Sequence, residues 1–268
     1  MKKFIFFSIF GSMVFAQTGL EIAKMVDERP TPKDMFSKTK MILTNSKGQS
    51  RTNVMISKSM DGNKRQIIWF LEPKDDKGVS FLKIEHSDQD DEMRMWLPAF
   101  KKIRRISSKK KGDSFMGSDL SYEDLSNRDL DKNEYIRLDD ETINGVDCFV
   151  LEITPKKEAK SSYSKHTSWI DKNSLMAVKE ESYDKNNKLL KSKTFKYSLM
   201  DSFYLISEIF VENIQKKSNT KLVFSNLRIN KDIKDCIMNI LYTCNLTKGQ
   251  HSEELTEKGF FFQKRLSS

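Results

Sequence analysis

From Met35 to Ile229 the chain repeats one pattern: short runs in which apolar and polar residues alternate, each closed by a turn signal. Thr52 to Met60 alternates Val54 and Ile56 with polar neighbours, and Arg65 to Glu72 (RQIIWFLE) carries Trp69 before Pro73 stops it. Met93 to Leu97, Lys102 to Ser107, Tyr135 to Ile143 and Asp147 to Thr154 read the same way, as do the runs that follow to Lys221–Ile229. Between them stand Asn45-Ser46-Lys47-Gly48, Asp61-Gly62-Asn63, Asn144-Gly145, Lys172-Asn173 and Lys185-Asn186-Asn187. Asn-Gly between two such runs is a strong hairpin signal, because both turn positions need positive φ. The pattern predicts a mainly β protein, an antiparallel meander of about 11–13 strands. A sheet this large twists and curls toward a barrel or half-barrel, so one face becomes concave.

Three segments break the pattern. Thr18 to Glu28 has helical spacing, with Thr18 and Glu21 placed for a capping box and Arg29-Pro30-Thr31-Pro32 as the stop. Phe115 to Asn127 lacks alternation and reads as loop plus a short helical turn capped by Ser118 or Asp119. These two segments are the candidate covers of the concave face. The tail 231–268 is irregular; Ile237 to Leu246 reads as a strand and Ser252 to Lys258 as a helical turn.

The first 16 residues read as a secretory signal: Lys2 and Lys3, an apolar stretch from Phe4 to Phe15, and Val14 and Ala16 before a cleavage point at Gln17. One domain over 17–230 is expected, since no Pro/Gly/Ser linker divides it. Export changes what the charge means. The formal net charge is +9, or +7 without Lys2 and Lys3. In a periplasmic protein this points away from nucleic acid and toward anionic head groups, a membrane surface touched transiently, or an acidic protein; a merely solvated basic surface reads equally well. Of 3 cysteines, Cys148 lies in an apolar strand as a small buried residue, and Cys236 and Cys244 are a candidate pair only in an oxidising compartment.

No catalytic constellation stands out. His86, His166 and His251 are isolated, without metal-ligand spacing, and His166 in SKHTSWID reads as a structural histidine. Asp88, Asp90, Asp91 and Glu92 lack the turn glycine and spacing of a calcium loop. No cofactor is implied, and the expectation is a non-enzymatic protein.

The densest segment is Met93 to Leu125. Period two puts Met93, Met95 and Leu97 on one face of a strand, with Arg94 and Trp96 on the other. Methionine suits a wall that adapts to a variable apolar guest, and it suits an ordinary core equally. Lys101, Lys102, Arg104 and Arg105 follow, either as a contact for anionic head groups or a partner, or as the charge that protects an edge strand from aggregation. Phe115, Met116 and Tyr122 form either a lid over an apolar cavity or a loop anchored by an aromatic ring. Trp69, Met93, Met95, Trp96, Leu97, Phe115, Met116 and Tyr122 are therefore the candidate ligand residues.

WLPAFKKIRRI (Trp96 to Ile106) followed by SFMGSDLSYEDL (Ser114 to Leu125) closely resembles the motif of a LolA-like family of exported proteins, described as outer-membrane lipoprotein-sorting proteins. The resemblance spans Leu20 to Ile229, and the tail after Asn230 departs from the family's pattern. It implies an unclosed antiparallel half-barrel around a helical or loop lid. It also implies a cavity for lipoprotein or lipid acyl chains, and carriage across the periplasm without chemistry. Some relatives are linked to resistance-nodulation-division exporters, which implies an inner-membrane pump as partner, and sorting to the outer membrane implies an outer-membrane acceptor. An exported sensor or accessory module that binds an envelope protein is the alternative.

Overall fold

The computed structural model describes residues 17–233. The signal segment 1–16, the strand and helical turn expected in the tail, and the Cys236–Cys244 pair lie outside the described residues.

Helix α1 (Gly19–Asp27) comes first, with both halves of the capping box in place: the Thr18 hydroxyl accepts from the Glu21 N–H, and the Glu21 carboxylate accepts from the Thr18 N–H. Thirteen strands follow. The first six are β1 (Asp34–Thr44), β2 (Ser50–Met60), β3 (Arg65–Glu72), β4 (Ser80–Ile84), β5 (Glu92–Leu97) and β6 (Lys102–Ile106). After a gap come β7 (Asn133–Ile143), β8 (Val146–Pro155), β9 (Lys165–Asp171), β10 (Ala177–Tyr183), β11 (Leu189–Met200), β12 (Phe203–Asn213) and β13 (Ser218–Ile229). Asn144 and Gly145 both take positive φ in the β7–β8 hairpin, as the Asn-Gly signal requires.

All thirteen form one antiparallel sheet that does not close into a barrel. Its order is β6-β5-β4-β3-β2-β1-β13-β12-β11-β10-β9-β8-β7. This is two meanders joined where the first and last strands pair, Met41 opposite Leu222. The free edges are therefore β6 and β7, which are consecutive in sequence. The chain between them, 107–132, must travel from one edge to the other, and it does so across the inner face. We call it the strap.

Register defines that inner face. Across the sheet, Arg104, Met95, Phe81 and Ile68 lie in one row of partners. The same face continues through Met55, Met41, Leu222, Val211 and Lys193, then Glu180, Ser168 and Leu151. At the β7–β8 end, α1 covers it, Ile22 and Ala23 packing on Phe149, Leu151, Ile153 and Ile170. At the other end the strap covers it. The outer face has its own apolar clusters, one of Met60, Ile67 and Leu82 and one of Cys148, Val150 and Trp169. Cys148 is a buried free thiol, as its strand predicted.

Candidate functional site

The strap is built from tight turns where the sequence predicted a short helix after Ser118. Its one helical piece near that point is a single 3-10 turn, Glu123–Leu125. The reason is local hydrogen bonding. Met116 and Gly117 both have positive φ, the Phe115 carbonyl accepts from the Ser118 N–H, and the Phe115 N–H donates to the Leu120 carbonyl. The bonds run across a miniature hairpin, with Ser114 bridged to Ser121, and so cannot run along a helix. Ser118 bonds back to the Phe115 carbonyl, and Asp119 does not cap: its carboxylate accepts from the Ser218 and Thr220 hydroxyls of β13 at 2.6 and 2.9 Å.

The hairpin inserts its apolar side chains into the apolar half of the inner face. Phe115 is 1% exposed, and its ring centroid lies 5.4 Å from Phe81, 5.8 Å from Tyr122 and 5.9 Å from Phe70. Around it stand Met41, Met55, Met93, Met95 and Leu222, all buried, with Leu97 and Met116 packed at the margin. Of the sequence candidates, Met93, Met95, Leu97, Phe115, Met116 and Tyr122 thus converge on one cluster. Trp69 and Trp96 do not. Both lie on the outer face, packed against Met60, Ile67 and Leu82, because alternation sends residue 96 away from residues 95 and 97.

The basic quartet divides in the same way. β6 is an edge strand, and Lys101, Lys102, Arg104 and Arg105 are exposed. Lys102 and Arg104 pair with Leu97 and Met95 and therefore share the inner face, at the rim of the apolar floor. Burial raises the Tyr122 hydroxyl's pKa, and the nearby Arg104 guanidinium partly offsets that. Arg105 pairs with Arg94 on the outer face, and Lys101 takes a left-handed conformation in the β5–β6 connection.

What sequence reading missed lies between the two covered halves. On the inner face of β9–β11 a chain of buried charges ties the strap down. Asp124 accepts from Lys193 at 2.5 Å and Lys191 at 2.9 Å, and the Tyr163 hydroxyl and Ser121 bond the same carboxylate. Lys193 also reaches Glu180 at 3.1 Å, and Glu180 accepts both Arg128 nitrogens, at 3.0 and 3.1 Å. His166 bonds Ser182 at 2.9 Å through Nδ1 and faces Glu180 at 3.7 Å.

The electrostatics follow from burial and neighbours. Burial pushes the Asp124 carboxyl up, but the Lys193 and Lys191 ammoniums outweigh it and hold it well below the usual range. Glu180 is held low in the same way by Arg128 and Lys193. Burial, then the charge of Arg128, pulls His166 down to about 3, so its imidazole is neutral at neutral pH. Two further polar ties hold the strap's far end. Buried Lys83 donates to the Leu125 carbonyl and Glu85, and the Glu123 carboxylate accepts from Ser161 and Ser162.

Two signals could have found this network. Lys191 and Lys193 alternate with Ser192 and Thr194 in β11, and Glu180 and Ser182 flank Glu181 in β10. Alternating charge in a strand reads by default as a wet face. The Ser-x-x-Asp spacing of Ser121 and Asp124 is a turn signature that was visible but had no partner until the fold supplied one. No group of three His, Cys, Asp or Glu among the described residues is placed to hold a metal.

A family model described as an uncharacterized protein matches residues 62–240. Among solved structures, a domain assigned as an outer-membrane lipoprotein-sorting protein from Vibrio parahaemolyticus is 34% identical, with a TM-score of 0.79. That match covers 84% of this chain and 98% of the other. A DUF1329 family protein from Desulfovibrio piger is 32% identical, with a TM-score of 0.78, covering 82% and 95%. A LolA superfamily protein from Nitrosomonas europaea shares the fold at 19% identity and a TM-score of 0.67, covering 85% and 100%. No curated protein matches.

Proposed function

Since this chain belongs to the LolA-like family of outer-membrane lipoprotein-sorting proteins, we propose that it is a non-enzymatic periplasmic carrier that shelters lipoprotein or lipid acyl chains on the inner face of its sheet. One observation carries the reading. The apolar half of that face is covered by a single strap whose aromatic side chains fill it, and in this reading an acyl chain takes their place. Met93, Met95 and Leu97 are the floor. Phe115, Met116 and Tyr122 are the displaceable cover. Lys102 and Arg104 at the rim meet the anionic surface of a membrane or partner.

The magnitudes are compatible with exchange. Moving Phe115, Leu120 and Tyr122 out of the core costs roughly 5–9 kcal/mol at about 1.5–3 kcal/mol per large side chain. Burying a 16-carbon chain returns on the order of 12 kcal/mol, at about 0.8 kcal/mol per methylene. Cargo therefore competes with the aromatic plug. Empty protein stays closed, and loading needs a donor that opens the strap. An inner-membrane exporter of the resistance-nodulation-division class is the loading partner in this reading, and an outer-membrane acceptor is the destination.

Native mass spectrometry of the full chain isolated from the periplasm tests the proposal. The expected result is added mass that dissociates as lipid or acylated lipoprotein. A protein that carries no added mass yet captures an envelope complex overturns it in favour of the sensor reading.

A further inference from the structure

Between the strap's first turn, 107–112, and the turn 157–162 lies a groove of about 420 Å³. Lys109, Lys111 and Lys160 line it, with Ser108, Ser161 and Ser162. The two turns are brought together closely: a Cβ at Gly112 would stand 2.6 Å from the Ser162 side chain. Among the described residues no carboxylate lines the groove. Asp90, nearby, is engaged by Lys160 and Ser108, and Glu123 by the two serines of the second turn. Lys111 donates to the neutral Ala159 carbonyl, and among the described residues Lys109 and Lys111 form no direct ion pair. Three lysines thus line one groove, and the Asp90 carboxylate beside it is paired with Lys160 and feels the charge of Lys111. Like charges gathered this way favour an anion between them.

We propose that this groove binds a phosphate group whose negative charge no attached cation balances, the chemistry that an anionic phospholipid head group and free phosphate share. It lies on the strap that covers the apolar floor, so a head group held here places its acyl chains beside the cover. That placement rests on the carrier reading; the phosphate site itself does not. The site differs from the basic quartet of β6, which points along an open edge and encloses no cavity.

The full chain is titrated by calorimetry with dihexanoyl phosphatidylglycerol, dihexanoyl phosphatidylcholine and inorganic phosphate, for the native protein, the Lys109→Gln/Lys111→Gln variant and a Lys110→Gln control. Glutamine at 111 keeps a donor for the Ala159 carbonyl, and Lys110 does not line the groove. The expected result is at least tenfold preference for phosphatidylglycerol over phosphatidylcholine, lost in the double variant and kept in the control. Weaker binding of inorganic phosphate assigns the site to a head group; equal binding, lost in the same variant, assigns it to free phosphate. Equal affinity for the two lipids, with no phosphate binding, overturns the proposal without any variant. Unchanged affinity in the double variant also overturns it. Acyl-chain retention in native mass spectra is read separately, so a failed phosphate site with bound lipid is distinct from an empty carrier that still binds phosphate.

Discussion

Asp124, on the strap, and Lys193, on β11, bond at 2.5 Å with side chains 3% and 6% exposed. The pair fixes the strap to the floor of the sheet at the point where its aromatic hairpin ends. Removing one partner leaves the other charge buried without compensation, which typically costs about 3–5 kcal/mol. Here Asp124→Asn leaves Lys191 without its carboxylate and Lys193 with Glu180 alone. The expected outcome is a loss of that size in urea unfolding. Replacing Lys191 alone costs less, because Lys193 and the Tyr163 hydroxyl still serve Asp124. Equal losses for the two variants would remove Asp124 from the centre of the network.

His166 gives the protein a defined acid sensitivity. Its folded pKa is lowered to about 3, chiefly by burial, from an ordinary value of 6.5. Between those values the unfolded chain binds a proton that the folded protein refuses. Stability is therefore complete above about pH 6.5 and falls with pH at about 1.4 kcal/mol per unit for one proton. Asp124 and Glu180, also depressed, add their loss only where unfolded carboxyls begin to protonate, below about pH 5. The window from pH 6.5 to 5 thus isolates the histidine. His166→Asn, whose amide stands where Nδ1 meets Ser182, should flatten the stability slope there and leave the acid limb in place. A slope unchanged by the substitution would sink the assignment.

The strands and the helix were legible because each is specified locally. The Thr18–Glu21 capping box, the Asn144-Gly145 turn and the alternation around Met93 and Met95 carry their structure in adjacent residues. What was not legible depends on pairing between distant strands. The sequence pattern suggested a simple meander, whereas the pairing of β1 with β13 puts the first and last strands in mid-sheet and leaves β6 and β7 as edges. Only that arrangement forces residues 107–132 across the inner face. It also turns Lys191, Lys193 and Glu180 inward, where a lone strand gives no sign that its charged side is the dry one. The aromatic strap residues were found by their bulk in a glycine-flanked loop. Their polar anchors were missed because each partner lies dozens of residues away.

Gly19 tests the seating of the helix. A Cβ there would stand 2.8 Å from the Tyr135 carbonyl and the Arg137 nitrogen, both backbone atoms of β7. A strand in a sheet cannot yield as a side-chain tip does, so the helix must lift. Gly19→Ala should cost about 1–3 kcal/mol, as overpacking does. Faster amide exchange confined to α1 and β7 is the expected signature. An unchanged melting temperature would show that the helix adjusts freely.

The Asp119 latch sets how readily the hairpin leaves. The Thr220 hydroxyl donates to the Asp119 carboxylate and accepts from the Asp119 N–H, both at 2.9 Å, in a buried position. Thr220→Val keeps the shape and deletes both bonds, at about 1–3 kcal/mol for buried groups left unpartnered. The loss falls on the closed form, so hydrogen exchange should accelerate across 113–122 more than in β13 itself. If β13 loosens equally, Thr220 supports the sheet and not the strap.

Phe115 separates a packed core from a displaceable plug. Phe115→Ala removes the ring that meets Phe70, Phe81 and Tyr122, and a large-to-small change at such a site costs about 3–5 kcal/mol. Both readings share that cost, so stability alone cannot decide between them. Binding can. Under the carrier reading the ring competes with cargo, and deleting it removes part of what an acyl chain must displace. Phe115→Leu keeps most of the volume at a cost of roughly 1–2 kcal/mol and should take up a fluorescent fatty acid more tightly than the native protein. Phe115→Ala, measured while still folded at low temperature, should exceed the leucine variant. If the floor around Met93 and Met95 never meets cargo, both variants lose stability and neither gains affinity. That outcome would leave the aromatic cluster as core and move the search for the acyl site elsewhere on the sheet.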